Sequence, residues 1–130
     1  MHRVLDILHE ARTRIAEGWT GGFLESTDCD GRPLYCALGA LADDGEWVFD
    51  REVSAAEAYK ARSPAGLEAV RRLAQHSGIG GSATWAEQVF TCNDDLGYEA
   101  TLQMYDAAIA ELEQELKTAV VLKARELVLV

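Results

Sequence analysis

Two prolines, three cysteines and twelve basic residues are all that this chain of 130 residues offers of those types, and each shortage excludes something. So few prolines argue against a proline-rich linker or a stretch of polyproline helix. The cysteines, Cys29, Cys36 and Cys92, are odd in number and form no CxxC pair, so they do not read as a secreted disulfide framework. Twelve Lys and Arg against 22 Asp and Glu give a net charge of −10, which opposes broad contact with nucleic-acid phosphates. No apolar run is long enough to span a bilayer. The opening MHRVLDILHEARTR is broken by Asp6 and Glu10, so it reads as neither signal peptide nor membrane span. A reducing cytoplasm is the expected compartment.

Recognisable catalytic signatures are also missing. There is no GxxxxGK[ST] phosphate loop, no GxGxxG and no HExxH. The glycine-rich GIGG at Gly78–Gly81 follows an expected helix rather than a strand, so it reads as a hinge. No internal repeat or low-complexity tract is present.

What remains is a globular composition, 48% hydrophobic, at a length suited to one domain. Val4, Leu8, Ala11 and Ile15 form one stripe of a first amphipathic helix, which Gly18 is expected to end in a left-handed cap. WTGGFLESTDCDGRP, residues 19–33, reads as a loop anchored by Trp19 and Phe23. Pro33 is expected to open a short, deeply buried helix through LYCALGALA. Trp47–Phe49 reads as one extended stretch with no partner, hence no sheet.

Helix starts are legible further on. Ser54–Glu57 and Thr84–Glu87 both have the capping-box form, and Ser63-Pro64 opens a helix with Leu67, Val70, Leu73 and Ala74 as its apolar side. From Glu99 a long final helix carries Leu102, Tyr105, Ile109, Leu112, Leu116 and Ala119 at spacings of three and four. The tail AVVLKARELVLV continues as helix or strand, and its apolar end is expected to pack on the domain or on a second copy. The expected architecture is therefore all-α: a compact single-domain bundle of five or six helices over residues 1–130, with 118–130 an appended oligomerisation tail.

The densest polar cluster is TCNDDLG, Thr91–Gly97. A calcium loop fails on ligand count: from Asp94, the alternating positions soon fall on Leu96, Tyr98, Ala100 and Leu102. Cysteines and histidines lack zinc spacing, so neither metal nor cofactor is expected. A cysteine-dependent hydrolase or transferase would use Cys36, with Asn93 or Asp94 as orienting groups. Against it, Cys36 sits in an apolar run and none of His2, His9 and His76 is placed as a base. The structural reading gives Asn93, Asp94 and Asp95 the task of capping the start of the long helix. In that reading the Asn93 side chain bonds backbone groups.

Two blocks, GWTGGFLESTDCDGRPLYCALGAL at 18–41 and FTCNDDLGYEATLQMYDAAIAEL at 90–112, together resemble a family of small uncharacterised actinobacterial and actinophage proteins with paired CALGA and ND-x-x-G motifs. Cys36, Ala37, Leu38 and Gly39 match the first motif, and Asn93, Asp94 and Gly97 the second. Cys92 stands where the family tends to have tryptophan, and Glu99 where it tends to have threonine. That family has no assigned activity, so the resemblance implies a phage origin but no reaction. The expected function is a small acidic, non-enzymatic protein that binds a host protein, without direct nucleic-acid or membrane contact, and that pairs as a homodimer through its C-terminal segment. A DNA-mimic inhibitor of a nucleic-acid-binding protein is the variant that the acidity suggests.

Overall fold

Apolar residues at helical spacing dictate most of the chain. The structure, a computed structural model, describes residues 1–22, 25–42, 47–49, 59–61, 63–81 and 84–129. Helix α1 spans His2–Glu17 and buries Val4, Ile7, Leu8, Ala11 and Ile15, the stripe legible in the sequence. Strands β1 (Glu25–Thr27) and β2 (Pro33–Tyr35) form an antiparallel hairpin with Ser26 opposite Leu34. One-turn helix α2 is Gly39–Ala42. Strands β3 (Trp47–Phe49) and β4 (Tyr59–Ala61) pair antiparallel. Helices α3 (Pro64–Gln75) and α4 (Trp85–Thr91) follow, then a π-helical turn, Cys92–Leu96, and finally helix α5, Gly97–Leu129.

The described residues are thus mostly helical, but four helices exceed one turn and two strand pairs accompany them. The expected five- or six-helix bundle without a sheet is corrected in three places. Asp28 accepts hydrogen bonds at one carboxylate oxygen from the Asp30 (2.8 Å) and Arg32 (2.9 Å) amides, which closes a tight turn and makes a hairpin of the expected loop. Pro33 lies in β2 and opens no helix; as the outermost β2 residue, opposite Thr27, it gives up little to the ladder. Trp47–Phe49 has a partner after all, β4, and Tyr59–Ala61 is a strand immediately downstream of the expected capping box. That box, Ser54–Glu57, and the loop anchor Phe23 lie outside the described residues.

Gly18 also departs from expectation. Its φ of −168° is extended, so the left-handed cap is absent. The residue is small because β2 passes against it: a Cβ there would stand 2.4 Å from the Pro33 carbonyl oxygen. Gly18 accepts the Tyr35 amide at 2.7 Å, and Thr20 donates to the Tyr35 carbonyl at 3.1 Å, so the exit from α1 is laced to β2.

Around this frame α1 packs against α5 and α3, and α3 against α4. Ser63 caps α3 by accepting the Gly66 amide at 3.0 Å, with Pro64 at the first turn as expected. Val70, Leu73 and Ala74 are buried, whereas Leu67 points into solvent. The Arg72 guanidinium, almost fully buried, lies among Glu68 (3.0 Å), Glu115 (2.7 Å) and Glu111 (3.6 Å) and ties α3 to α5. Arg12 clamps Asp106 through two hydrogen bonds, of 2.9 and 3.3 Å, and joins α1 to the same helix.

Helix α5 runs 33 residues, about 50 Å at the helical rise. Thr101, Met104, Tyr105, Ala108, Ile109 and Leu112 are buried and Leu116 half-buried. Every side chain from Lys117 to Val128 is exposed. The tail is therefore helical through Leu129 and does not fold back on the domain. Among the described residues, no helix is long and apolar enough to cross a membrane.

Candidate functional site

The chemistry-bearing residues of the sequence meet at the junction of α4 and α5. Thr84 caps α4 by accepting the Glu87 amide at 3.2 Å, and Val89 anchors the helix in the core. The next five residues widen into the π-turn, a device that re-aims side chains within a helix. Gly97 closes it at φ 92°, a backbone conformation that side chains with a Cβ resist. The turn sends Cys92 and Asn93 inward and leaves Asp94, Asp95 and Leu96 exposed.

Asn93 is fully buried and its amide is completely used. Its Oδ1 accepts the Trp19 indole N–H at 2.8 Å and the Ala37 backbone N–H at 3.0 Å. Its Nδ2 donates to the Thr20 carbonyl at 3.1 Å and to the Asp94 carboxylate at 3.0 Å. Two donors and two acceptor positions are all that a carboxamide has. The Thr101 hydroxyl, 3.4 Å from Oδ1, donates to the Gly97 carbonyl at 2.8 Å. The same Asp94 oxygen accepts the Gly22 amide at 2.8 Å.

The reason for this convergence lies in the CALGA segment. Cys36, Ala37 and Leu38 are buried but precede the single turn of α2, so the Ala37 backbone has no helical partners. Asn93 takes its N–H, and the buried Tyr105 hydroxyl donates to its carbonyl at 2.6 Å. One residue of each motif therefore meets the other across 56 positions of sequence. The expectation that Asn93 bonds backbone groups holds. Its partners, however, belong to the α1–β1 connection and the CALGA segment rather than to the start of α5, so it is a tertiary staple and not a helix cap.

Of the candidate catalytic residues, Asn93 and Asp94 are hydrogen-bonded to each other, and Cys36 neighbours the residue that Asn93 holds. Burial pushes the Cys36 thiol up from its ordinary value; the Gly39 amide, donating to Sγ at 3.3 Å, opposes this, and the Asp94 charge adds to the rise. Burial raises Cys92 likewise. Two histidines are engaged elsewhere, His9 3.2 Å from Glu113 and His76 3.1 Å from Glu111, and His2 is exposed at the start of α1. Among the described residues no three His, Cys, Asp or Glu side chains converge as a metal set.

A raised pKa keeps Cys36 protonated, and the thiol is a far weaker nucleophile than the thiolate. With iodoacetamide at pH 7, exposed Cys29 is therefore expected to alkylate first, and Cys36 and Cys92 only on unfolding. Peptide mass spectrometry reads this directly. Native-state labelling of Cys36 as fast as Cys29 would contradict it.

The sequence did not single out Thr20, Gly22, Thr101 or the Tyr105 hydroxyl for the site, and it read Trp19 only as an apolar anchor. The signals were there in principle: a partly buried indole N–H or a buried phenol needs a partner, and Thr101 is a hydroxyl on the core face of α5.

These features define a small, mostly helical domain in which one buried carboxamide joins three segments distant in sequence. The chain matches, over residues 1–111, a family described as a family of unknown function (DUF6197), and it belongs to that family. The matched span takes in the CALGA segment and the π-turn and stops within α5, ahead of the exposed tail. No curated protein and no solved structure matches the chain.

Proposed function

We propose that this protein is a small, acidic, non-enzymatic interaction protein of phage or prophage origin that binds a host protein. The observation that supports this reading is the outward edge of the joint. While Asn93 is consumed inward, Leu96 stands 52% exposed, and its sequence neighbours Asp94, Asp95 and Glu99 are exposed too. An exposed apolar side chain beside exposed carboxylates in the same turn suits docking to a basic surface with an apolar dimple. The chain's charge of −10 favours such a partner and discourages nucleic acid.

Affinity capture from host lysate tests this with the full chain and its Leu96→Arg and Asp95→Lys variants. The expected result is a basic protein retained by the parent, lost from both variants, and kept by Cys36→Ser. Retention should fall with ionic strength as the screening length shortens. The reading fails if the variants retain the same protein as the parent, or if Cys36→Ser alone abolishes capture. If the captured protein binds nucleic acid and DNA displaces it, the interaction is of the DNA-mimic kind.

A further inference from the structure

Beyond the family-matched residues, α5 carries an apolar stripe that the domain does not cover. Leu116, Val120, Ala124 and Leu127 recur at spacings of four, four and three, with Val121 and Val128 beside them. Val120, Leu127 and Val128 are 69%, 73% and 84% exposed. Two shallow grooves run along this face, one lined by Leu116, Lys117, Val120 and Val121, the other by Val121, Ala124, Arg125 and Val128. Monomeric proteins rarely leave so continuous an apolar surface in water.

Charge identifies what covers it. Lys117, Lys123 and Arg125 stand against Glu126 alone, so the tail is basic on a chain of net charge −10. At its base the same helix bears Glu111, Glu113 and Glu115; Arg72 is shared by Glu68, Glu111 and Glu115, so the base stays net acidic although these carboxylates have partners within the chain. A lipid surface rich in anionic headgroups would attract the tail but repel the domain that brings it. A second copy satisfies both ends: laid antiparallel, the basic tip of each tail reaches the acidic base of the other, and the two acidic domains sit at opposite ends. Parallel pairing would instead crowd the domains together and align like charges.

We propose that the segment from Leu116 to Val128 is an antiparallel self-association helix, its apolar stripe covered by the same stripe of a second copy. The contact is short, about 20 Å of helix on each side, well below the roughly 800 Å² per partner of a standard interface. Pairing is accordingly expected to be reversible and concentration-dependent. This inference does not depend on what the Leu96 edge binds: the substitutions that test it leave that edge untouched.

Sedimentation equilibrium on the full chain, from micromolar to millimolar, gives the dissociation constant. Val121→Glu with Leu127→Glu removes apolar contact at exposed positions without touching the core, and is expected to abolish association. Lys123→Glu with Arg125→Glu keeps the stripe and is expected to weaken association about tenfold, because the reversed charges of each tip then approach the acidic base of the other copy. Orientation is read by spin labels on Val128→Cys in a Cys29→Ser background: about 20 Å between labels for the antiparallel pair, about 10 Å for a parallel one. A monomer at millimolar concentration, a dimer indifferent to the glutamate pair, or the short label distance overturns the proposal. So does a chain that stays monomeric while co-sedimenting with phosphatidylserine vesicles.

Discussion

Asn93→Ala is expected to lower stability by about 4 kcal/mol, with the unfolding midpoint falling by roughly 15 °C for a domain of this size. The cost is that of the groups left behind. With the carboxamide gone, the Trp19 indole N–H, the Ala37 N–H and the Thr20 carbonyl lose the partner that Asn93 gives them. Ala37 is itself fully buried and cannot turn to water. Each stranded polar group costs about 1–3 kcal/mol, so the sum outweighs any single core methylene. Asn93→Asp separates shape from hydrogen bonding. It preserves the outline but exchanges the Nδ2 donor for a carboxylate facing the Thr20 carbonyl and Asp94. Burial and a like charge raise its folded pKa above the unfolded value near 3.9. The folded state then holds its proton to higher pH than the unfolded chain does. The penalty is fully present above the folded pKa and fades as pH falls toward the unfolded one. Asn93→Asp should thus approach the parent between pH 7 and pH 4, its protonated carboxyl standing in for the amide. Thermal unfolding monitored by circular dichroism across that range is the measurement. A near-neutral Asn93→Ala, or an Asn93→Asp whose deficit grows in acid, would show that the joint is not held by this residue.

How far the sequence foretold this joint depends on the range of each interaction. The stripe of α1, the Ser63-Pro64 start of α3 and the Thr84 cap of α4 are local patterns, and each is present as read. TCNDDLG was legible as a polar joint whose Asn bonds backbone, because a short polar side chain between two helices has few other uses. Apart from neighbouring Asp94, the partners that matter, Ala37, Thr20 and Trp19, lie 56 and more positions away and leave no local trace. Nor does spacing alone reveal a π-turn, since inserting one residue shifts the apolar pattern no more than an ordinary irregularity does. The hairpin was hidden for a different reason. DCDGRP was read for its breakers, although a DG pair between short extended runs is also a hairpin signal. Leu67 belonged to the right helical period but falls at the edge of the stripe, where burial depends on a neighbour that periodicity cannot supply. The tail shows the converse case. Its apolar pattern resembles that of the buried seam ahead of it, and only the structure shows that the domain has run out of surface to cover it.

Gly18→Ala is expected to cost about 3 kcal/mol, although the backbone there suits any residue. At φ −168° an alanine meets no conformational objection. The obstacle is distance: its Cβ would stand 2.4 Å from the Pro33 carbonyl oxygen and 3.0 Å from a Leu34 methyl. The methyl can rotate away, but the carbonyl is backbone. The strand that bears it is fixed at its other end by the Gly18–Tyr35 and Thr20–Tyr35 hydrogen bonds, so relief requires β2 to retreat and those bonds to lengthen. The retreat would also disturb Trp19, whose indole reaches Asn93 and whose ring leans on Tyr98 at 5.8 Å. Gly22→Ala is the opposite experiment. Gly22 sits at φ 78° with open space where a Cβ would go, so its alanine pays conformational strain alone, about 1 kcal/mol. Urea denaturation of the two variants beside the parent distinguishes the causes. Close approach predicts that Gly18→Ala is the more damaging despite its ordinary backbone. Conformational freedom as the reason for both glycines predicts the reverse order, and that order would remove β2 packing as the explanation for the residue that ends α1.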